Sequence, residues 1–299
     1  MDVAITGATG FLGRRLISRL AAESHLIRVL SRAPRKGLPL SVRLVIWDAL
    51  EGPPPANGLS GADAVVHLAG ESVSQRWTPE VRRRIRVSRV DGARRLLEGI
   101  SKASPRPSTL IAASAVGYYG DRNEETLTEE SEAGNDFLAD VCRETEAALG
   151  QGRSLGLRVA PLRIGVVLGK EGGALSRMLP PFRLGAGGRL GDGRQWMSWI
   201  HVEDLVGLIR FALDEPLDGA FNATSPNPVR NSEFTTALAR ALRRPALFPV
   251  PEFALKLLFG EMSSVLLASQ RVLPRAAESA GFRFQFPEVF SALKDLLGS

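Results

Sequence analysis

Cysteine, histidine and tyrosine are scarce in this 299-residue chain, which has one, three and two of them, respectively. The single cysteine, Cys142, excludes an internal disulfide and is typical of a reducing compartment. His25, His67 and His201 lie far apart in the sequence, so no metal-ligand spacing is present. The chain also lacks the run of about 18 apolar residues that a membrane-spanning helix needs, and no charged-then-apolar leader precedes the first strand pattern at Asp2. These absences predict a soluble, cytoplasmic protein with no metal site and no membrane partner.

Acidic residues are outnumbered, since 32 Asp and Glu against 38 Lys and Arg give a formal net charge of +6. The densest basic segment is a predicted helix that starts near Pro79 and carries seven arginines between positions 82 and 95. Trp77 is the one aromatic residue near it, and no zinc-finger or RNA-recognition motif accompanies it. We interpret the segment as a solvated helix face with one or two ligand contacts, and we predict no nucleic-acid partner.

Strand and helix patterns alternate along most of the chain. Apolar strands are predicted at 2–6, 26–30, 42–47, 64–68, 109–113 and 158–167, with amphipathic helices after the first, fourth and fifth of them. This order is typical of an α/β fold with a doubly wound parallel sheet, a Rossmann fold, in residues 1–230. We predict that residues 231–299 form a small α+β module on the substrate side. Its predicted elements are helices at 232–243 and 253–267, a half-buried strand over Phe282, Phe284 and Phe286, and a last helix from Pro287.

A glycine triplet follows the first predicted strand and opens the first predicted helix. In this context Gly7 would make the tight turn, Gly10 would let the backbone approach a pyrophosphate, and Gly13 would let the helix pack close to the strand. The phosphates would then sit at the helix N-terminus, where free N–H groups and the helix dipole favour an anion. The triplet therefore predicts dinucleotide binding.

The end of the second predicted strand indicates which dinucleotide. An NAD site uses an Asp or Glu there to accept a hydrogen bond from the ribose 2′-hydroxyl, but the sequence has no acidic residue from Arg28 to Val45. It offers Ser31, Arg32 and Arg35 instead, and a guanidinium pairs well with a phosphate dianion. The sequence therefore favours NADP(H).

Several segments resemble the extended short-chain dehydrogenase/reductase superfamily. They are residues 6–13, 67–70 and 199–205. More narrowly, the chain is similar over essentially its whole length to the NAD-dependent epimerase/dehydratase-like "epimerase family proteins", some of which carry a cell-division-inhibitor label. That likeness rests on the segments SAVGYYG at 114–120, RIGVVL at 163–168, residues 178–199, SQRVLP at 269–274 and GFRFQFP at 281–287.

The resemblance implies further cofactor contacts. Leu68 and Ala69 would lie on the adenosine side, Asp48 near the adenine, Arg89 and Arg84 would reach from the arginine-rich helix, and Val167 would sit by the nicotinamide. The predicted cofactor-binding residues also include Thr6, Phe11, Leu12 and Gly70.

The proton-transfer chemistry of the superfamily is missing. Its members use Ser, Tyr and Lys, the last two in a Tyr-x-x-x-Lys motif, where the Lys lowers the pKa of the Tyr and holds the ribose. Neither Tyr118 nor Tyr119 has a lysine four residues on, and by position the pair would fall near Phe137 and Val141. Ser114 matches the catalytic serine and is expected to donate a hydrogen bond to a carbonyl. Tyr118 or Tyr119 could supply the proton, whereas Cys142 is interpreted as a buried packing residue rather than a nucleophile.

Two functions from different classes follow. The first is an NADP(H)-dependent oxidoreductase or epimerase-like enzyme acting on an unidentified small molecule, with Ser114, Tyr118 and Tyr119 as the catalytic candidates. The second is an NADPH-binding regulatory or scaffold protein without turnover, which the missing Tyr and Lys motivate. The arginine-rich helix is also a candidate for pairing two copies of the chain into a homodimer.

Overall fold

The computed structural model describes residues 1–34 and 42–298, which contain thirteen strands and ten α-helices. The strands are β1 (Asp2–Thr6), β2 (Leu26–Ser31), β3 (Val42–Ile46), β4 (Ala64–His67), β5 (Thr109–Ala115), β6 (Thr126–Leu127), β7 (Arg158–Ile164), β8 (Val166–Gly169), β9 (Trp196–Met197), β10 (Trp199–His201), β11 (Phe221–Ala223), β12 (Val229–Arg230) and β13 (Arg271–Val272). The helices are α1 (Phe11–Ala22), α2 (Pro79–Ser101), α3 (Phe137–Gly150), α4 (Gly173–Arg183), α5 (Val202–Asp214), α6 (Asn231–Leu242), α7 (Glu252–Phe259), α8 (Ser263–Leu267), α9 (Arg275–Ser279) and α10 (Val289–Leu297). No helix in these described ranges combines the length and apolarity needed to cross a bilayer.

Seven of the strands form one parallel sheet in the order β11-β7-β5-β4-β1-β2-β3. The chain starts in the middle at β1, runs outwards through β2 and β3, and then crosses to β4 on the other side. The strand order therefore reverses between β1 and β4, and the carboxyl ends of both strands open at the same edge. Ligands of doubly wound sheets bind at such a reversal. The predicted Rossmann fold is confirmed.

Helices cover both faces of the sheet because the strand residues alternate between them. Val3 and Ile5 of β1 belong to a buried cluster with α1 and α5, whereas Ala4 belongs to a second cluster with α2 and α3. A third cluster joins α4 to α6 and α10, with Phe234 and Leu293 fully enclosed. The first two clusters thus pack helices onto the two faces of the sheet, and the third joins α4 to the C-terminal helices.

Three predicted elements differ from the observed ones. The strand predicted at 158–167 is interrupted at Gly165, where the chain leaves the main sheet and β8 pairs with β10 instead. The helix predicted at 253–267 is divided at Gly260, which adopts a positive φ of 61°.

The strand predicted over Phe282–Phe286 is wrong. Phe282 and Phe284 do pack inwards, edge to face with each other. The backbone N–H groups of Gln285 and Phe286, however, donate to the carboxylate of Asp204 at 2.7 and 3.0 Å. A side chain from α5 therefore takes the hydrogen bonds that a neighbouring strand would have taken.

Candidate functional site

The glycine triplet forms a tight cradle at the carboxyl end of β1. Gly7 has φ +68°, and a Cβ there would lie 2.5 Å from the carbonyl carbon of Leu68. A Cβ on Gly13 would lie 2.5 Å from the Cα of Ala8. Gly10 is different, because its Cβ would meet only the Gly7 carbonyl oxygen at 3.2 Å and would otherwise point into open space. Packing thus requires Gly7 and Gly13, whereas the space beside Gly10 is left for a ligand.

The N-terminus of α1 faces this space without a protein cap. Its N-cap is Gly10, which has no side chain to accept the first N–H groups, and the first turn carries no acidic residue. The ring of Phe11 covers the turn between β8 and α4, where a Cβ on Gly169 would lie 2.1 Å from the ring. The free N–H groups and the positive end of the helix dipole are suited to an anion such as a pyrophosphate.

The end of β2 presents the residues predicted to read the adenosine ribose. The Ser31 hydroxyl donates to the carbonyl of Ala33 at 3.0 Å, and Arg32 is exposed beyond it. Arg35 lies outside the described residues. Asp48, after β3, accepts from the N–H of Leu50 at 2.8 Å and so shapes its own turn. Among the described residues, Arg32 is an exposed cation directly after β2.

A buried hydrogen-bonded group links β1 to β4 beneath the cradle. The Thr6 hydroxyl lies 2.7 Å from Nδ1 of His67, and the N–H of Ala69 donates to the same hydroxyl at 3.3 Å. Burial, together with the charge of Arg89, lowers the pKa of His67 to about 4. His67 is therefore neutral at physiological pH, and Thr6 and Ala69 fix the chain after β4 against Gly7.

Arg89 of α2 occupies the carboxyl end of β4. One of its nitrogens, Nη1, donates to the carbonyl of Glu71 at 2.9 Å, and a Cβ on Gly70 would lie 3.3 Å from the guanidinium carbon. Arg84 is more exposed and lies 3.8 Å from the Glu71 carboxylate. Both predicted arginines thus lie beside the segment 70–71, but Arg89 is the more deeply buried one.

Most other arginines of α2 are ion-paired. Arg82 pairs with Glu261, Arg83 with Glu80, Arg86 with Glu144 and Arg94 with Asp91. These side chains are largely exposed, and such pairs contribute little to stability. The pairing agrees with the interpretation of this helix as a solvated face.

Ser114, at the end of β5, is engaged by a buried ion pair that the sequence did not reveal. Its hydroxyl donates to Oε1 of Glu146 at 2.7 Å, and Glu146 receives two hydrogen bonds from Arg163 at 3.0 and 2.8 Å. The side chains of Glu146 and Arg163 are only 12% and 6% exposed. Because an ionised carboxylate only accepts hydrogen bonds, the Ser114 proton is committed to Glu146. Ser114 therefore offers a lone pair to a ligand, rather than the proton expected for a carbonyl.

The two tyrosines differ in access. Tyr119 is fully buried, donates to Oδ1 of Asn222 at 2.7 Å and accepts from Arg163 at 3.0 Å. Burial raises the pKa of Tyr119 to about 12, so its hydroxyl is a structural group and not a free proton donor. Tyr118 is half-buried, with the Arg163 guanidinium 3.5 Å from its ring centre. Of the two predicted tyrosines, Tyr118 is the one that the geometry leaves available.

The α3 residues that face Ser114 lie one position after the residues that the sequence predicted there. Phe137 packs edge to face on Trp77, and Val141 packs with residues of α2. Leu138 approaches Gly117, and the thiol of Cys142 contacts Ser114. Residues 138, 142 and 146 are spaced by four and share one helical face. Leu138 and Cys142 therefore stand beside Ser114, and neither supplies the Tyr or the Lys.

Cys142 is expected to be chemically inert in the folded protein. It is 6% exposed, and burial, reinforced by the Glu146 carboxylate, raises the pKa of its thiol to about 11. Because the thiolate is the reactive form, we expect Ellman's reagent to modify the native protein at pH 8 at least about 100-fold more slowly than the urea-unfolded chain. Fast modification of the native protein would contradict the packing role and reinstate Cys142 as a nucleophile.

Two further predicted residues, Val167 and Leu12, have clear positions. Val167 of β8 is half-buried against the first and third apolar clusters, beside the turn that Phe11 covers, and Leu12 packs between the same two clusters. His201, which was not predicted as a site residue, caps α5, because its Nδ1 accepts from the N–H of Glu203 at 3.1 Å. Sequence reasoning did not identify Glu146 and Arg163 as part of this site. Nothing in the sequence indicates that an acidic residue on a helix forms an ion pair with an arginine on a strand 17 positions later.

Family comparisons agree with this geometry. Residues 3–223 match the model of the NAD dependent epimerase/dehydratase family, and residues 250–296 match a domain of unknown function, DUF1731. An epimerase family protein SDR39U1 homolog of Arabidopsis thaliana, described as chloroplastic, is 47% identical over 99% of this chain and 87% of its own length. The epimerase family protein YfhF of Bacillus subtilis is 40% identical over 99% of this chain and 98% of its own.

A solved structure extends the likeness to three dimensions. The human epimerase family protein SDR39U1 (isoform 2), crystallised with NADPH, superposes with a TM-score of 0.89 at 33% identity, and 100% of each chain is covered. Its similarity spans the sheet, the cradle and the C-terminal helices alike. The chain therefore belongs to the NAD dependent epimerase/dehydratase family.

Proposed function

We propose that this chain is an NADP(H)-dependent oxidoreductase or epimerase-like enzyme that acts on an unidentified small molecule. The observation that carries the proposal is the uncapped N-terminus of α1 above the open Gly10, with Arg32 at the end of β2 in place of an acid. The human relative crystallised with NADPH supports the same cofactor. When bound, NADP(H) would supply or accept a hydride at the carboxyl ends of β4 and β5.

The chain's own residues would orient the substrate at that end. The Ser114 hydroxyl, with its proton held by Glu146, accepts a hydrogen bond and so selects a ligand hydroxyl or N–H. Tyr118 is half-buried, and its hydroxyl has no hydrogen-bond partner among the described residues, which supports it as the group that donates or takes a proton. The stack on Arg163 fixes its ring.

A second candidate function is an NADPH-binding regulatory or scaffold protein. The observation that favours it is the α3 face beside Ser114, where Leu138 and Cys142 cannot move a proton at neutral pH. A screen of alcohols and carbonyl compounds with bound NADP⁺ or NADPH separates the two. Turnover that Ser114→Ala or Tyr118→Phe abolishes supports the enzyme, whereas stoichiometric binding without turnover supports the regulatory protein.

Arg32 is expected to set the preference between the two nicotinamide cofactors. A guanidinium that pairs with the 2′-phosphate contributes a charge-assisted hydrogen bond, so Arg32→Ala should weaken NADPH binding by roughly 10- to 100-fold and leave NADH binding within about 2-fold. Isothermal titration calorimetry with each cofactor measures both constants.

Arg94→Ala is the matched control, because Arg94 is an exposed arginine of α2 that pairs with Asp91. It should change neither constant. Equal affinity of the wild type for NADPH and NADH would refute the assignment of the 2′-phosphate to Arg32. Binding of neither cofactor would refute both candidate functions.

A further inference from the structure

An apolar patch lies exposed where the end of α4 meets the C-terminal module. Its six large side chains are each between 63% and 84% exposed. They are Leu184, Leu247, Phe248, Phe253, Leu257 and Leu258. The chain after α4 runs beside residues 245–252, because Leu190 pairs with Val250 and a Cβ on Gly185 would lie 3.8 Å from Pro245. Soluble proteins rarely expose large apolar side chains together unless another molecule covers them.

Helix α7 contributes three of these side chains and projects from the protein. Of its eight residues, all of them described, Leu255 is the one that is buried. Phe253 and Leu257 are four residues apart and share the exposed face, and Leu258 is exposed beside them. A surface helix ordinarily turns its apolar side to the core, whereas α7 turns most of it to solvent. A projecting apolar helix suits insertion into an apolar phase, since a partner helix docks in a groove instead.

Cations border the apolar patch. Residues 183–191 and 243–259 contain five of them and one acidic residue, Glu252. The five are Arg183, Arg189, Arg243, Arg244 and Lys256, and all are exposed. None of the five side chains forms an ion pair or a hydrogen bond within residues 1–34 and 42–298. Glu261, which follows α7, pairs with Arg82 instead. The patch therefore combines apolar side chains with uncompensated positive charge.

This charge distinguishes between the molecules that could cover the patch. A second copy of the chain would bring the same five cations to a two-fold interface, where like charges repel. A bilayer that contains anionic lipids offers the opposite charge, and each Lys or Arg near its surface strengthens binding by about 5-fold. Its headgroup and acyl boundary also accepts Phe and Leu side chains. Both properties of the patch thus fit an anionic lipid surface.

We propose that the apolar patch and its cations bind the surface of a membrane that contains anionic lipids, with α7 lying in the interface. The sequence predicted no membrane partner because it lacks a spanning run, and no helix of the described ranges could span a bilayer. Binding at the interface needs no spanning helix. None of the six patch residues belongs to the candidate site, so the inference is independent of the proposed cofactor and reaction.

Co-sedimentation of the full chain with sucrose-loaded vesicles tests this proposal. The wild type should partition at least about 10-fold more strongly onto vesicles of equal parts phosphatidylcholine and phosphatidylglycerol than onto phosphatidylcholine alone. Added salt should weaken this binding. Phe253→Glu combined with Leu257→Glu should weaken it by roughly 100-fold or more, because two apolar side chains leave the acyl boundary and two negative charges replace them. NADPH affinity of this variant should stay within about 2-fold of the wild type.

The matched control places the same charges outside the patch. Leu26→Glu combined with Leu50→Glu changes two exposed leucines elsewhere, and it should alter vesicle binding by less than about 3-fold because salt screens distant charges. Equal partitioning of the wild type onto both kinds of vesicle, or onto neither, refutes the proposal. Unchanged vesicle binding by the Phe253 and Leu257 variant refutes it as well. A wild-type dimer that this variant dissociates in sedimentation equilibrium assigns the patch to a second copy and also overturns the proposal.

A second variant keeps the test decisive if the first does not fold. Arg243→Gln combined with Arg244→Gln leaves every apolar residue in place, and it should weaken binding to the mixed vesicles by roughly 10-fold or more. Arg83→Gln combined with Arg94→Gln, two exposed arginines of α2 that are ion-paired, is its control. Equal weakening by both pairs of substitutions would show that net charge rather than this patch directs the binding, and it would refute the proposal.

Discussion

Gly10→Ala is expected to weaken NADPH binding by roughly 100-fold or more while the protein stays folded, because the added methyl group stands where the pyrophosphate approaches the backbone. The methyl itself meets only the Gly7 carbonyl oxygen at 3.2 Å. The backbone of Gly10, with φ −73° and ψ 175°, is one that alanine adopts readily. As an N-cap residue, alanine should cost about 1 kcal/mol or less of unfolding free energy. Calorimetry with NADPH and urea unfolding measure the two quantities.

Two glycines serve as matched controls for this variant. Gly52→Ala should alter neither binding nor stability by much, because nothing lies within 4 Å of the added Cβ. Gly13→Ala should destabilise the fold by about 2–3 kcal/mol, because its Cβ would lie 2.5 Å from backbone atoms of Ala8 and Gly7. NADPH binding that survives Gly10→Ala within about 3-fold would mean that the pyrophosphate does not sit on the α1 N-terminus.

Arg163→Met is expected to destabilise the protein by about 3–5 kcal/mol, because it leaves the buried Glu146 carboxylate without its partner. Both hydrogen bonds of the pair, at 3.0 and 2.8 Å, are lost. Burial by itself lowers the pKa of Arg163. The hydrogen bonds to Glu146 and the charge of Glu146 outweigh this effect and raise the pKa of Arg163 above its ordinary value. The substitution also removes the donor to Tyr119 and the stack on Tyr118. Urea unfolding followed by circular dichroism measures the change.

An exposed pair on the same helix provides the comparison. Arg143 and Asp140 of α3 also form an ion pair, with side chains 55% and 36% exposed. Arg143→Met should therefore change the unfolding free energy by less than about 0.5 kcal/mol. Adding Glu146→Gln to Arg163→Met should recover part of the loss, since it removes the unpaired charge. If Arg163→Met costs no more than Arg143→Met, water reaches the Glu146 carboxylate and the Ser114 hydroxyl is not held as we describe.

The cradle and the sheet were predictable because their signals are local. The strand Asp2–Thr6 has the predicted bounds, and each of Gly7, Gly10 and Gly13 follows it at the spacing that a turn and a helix start require. The alternation of strands and helices likewise limits the chain to a parallel, doubly wound sheet. The charge at the end of β2 is local as well, so the preference for NADP(H) could be proposed without a structure.

The part of the site at the end of β5 and on α3 was harder to predict from the sequence. A shift of one residue turns a helix position by about 100°, and this shift separates Phe137 and Val141, which pack on α2, from Leu138 and Cys142, which face Ser114. The alternation of Phe282, Phe284 and Phe286 indicated burial correctly but not a strand. Periodicity reports which side chains are buried, and it does not report which group takes the backbone hydrogen bonds.

The sequence by itself determined the fold class, the glycine cradle, the cation at the end of β2 and the absence of the Tyr-x-x-x-Lys motif, because each depends on neighbours a few residues apart. Only the tertiary structure decided that the Ser114 hydroxyl donates to Glu146 and that Tyr119 is buried against Asn222. Those properties depend on which side chains meet across the sheet and on how much water remains between them. Burial strengthens the interaction of paired charges and penalises unpaired ones, and burial is set by the packing of α2 and α3 against the sheet.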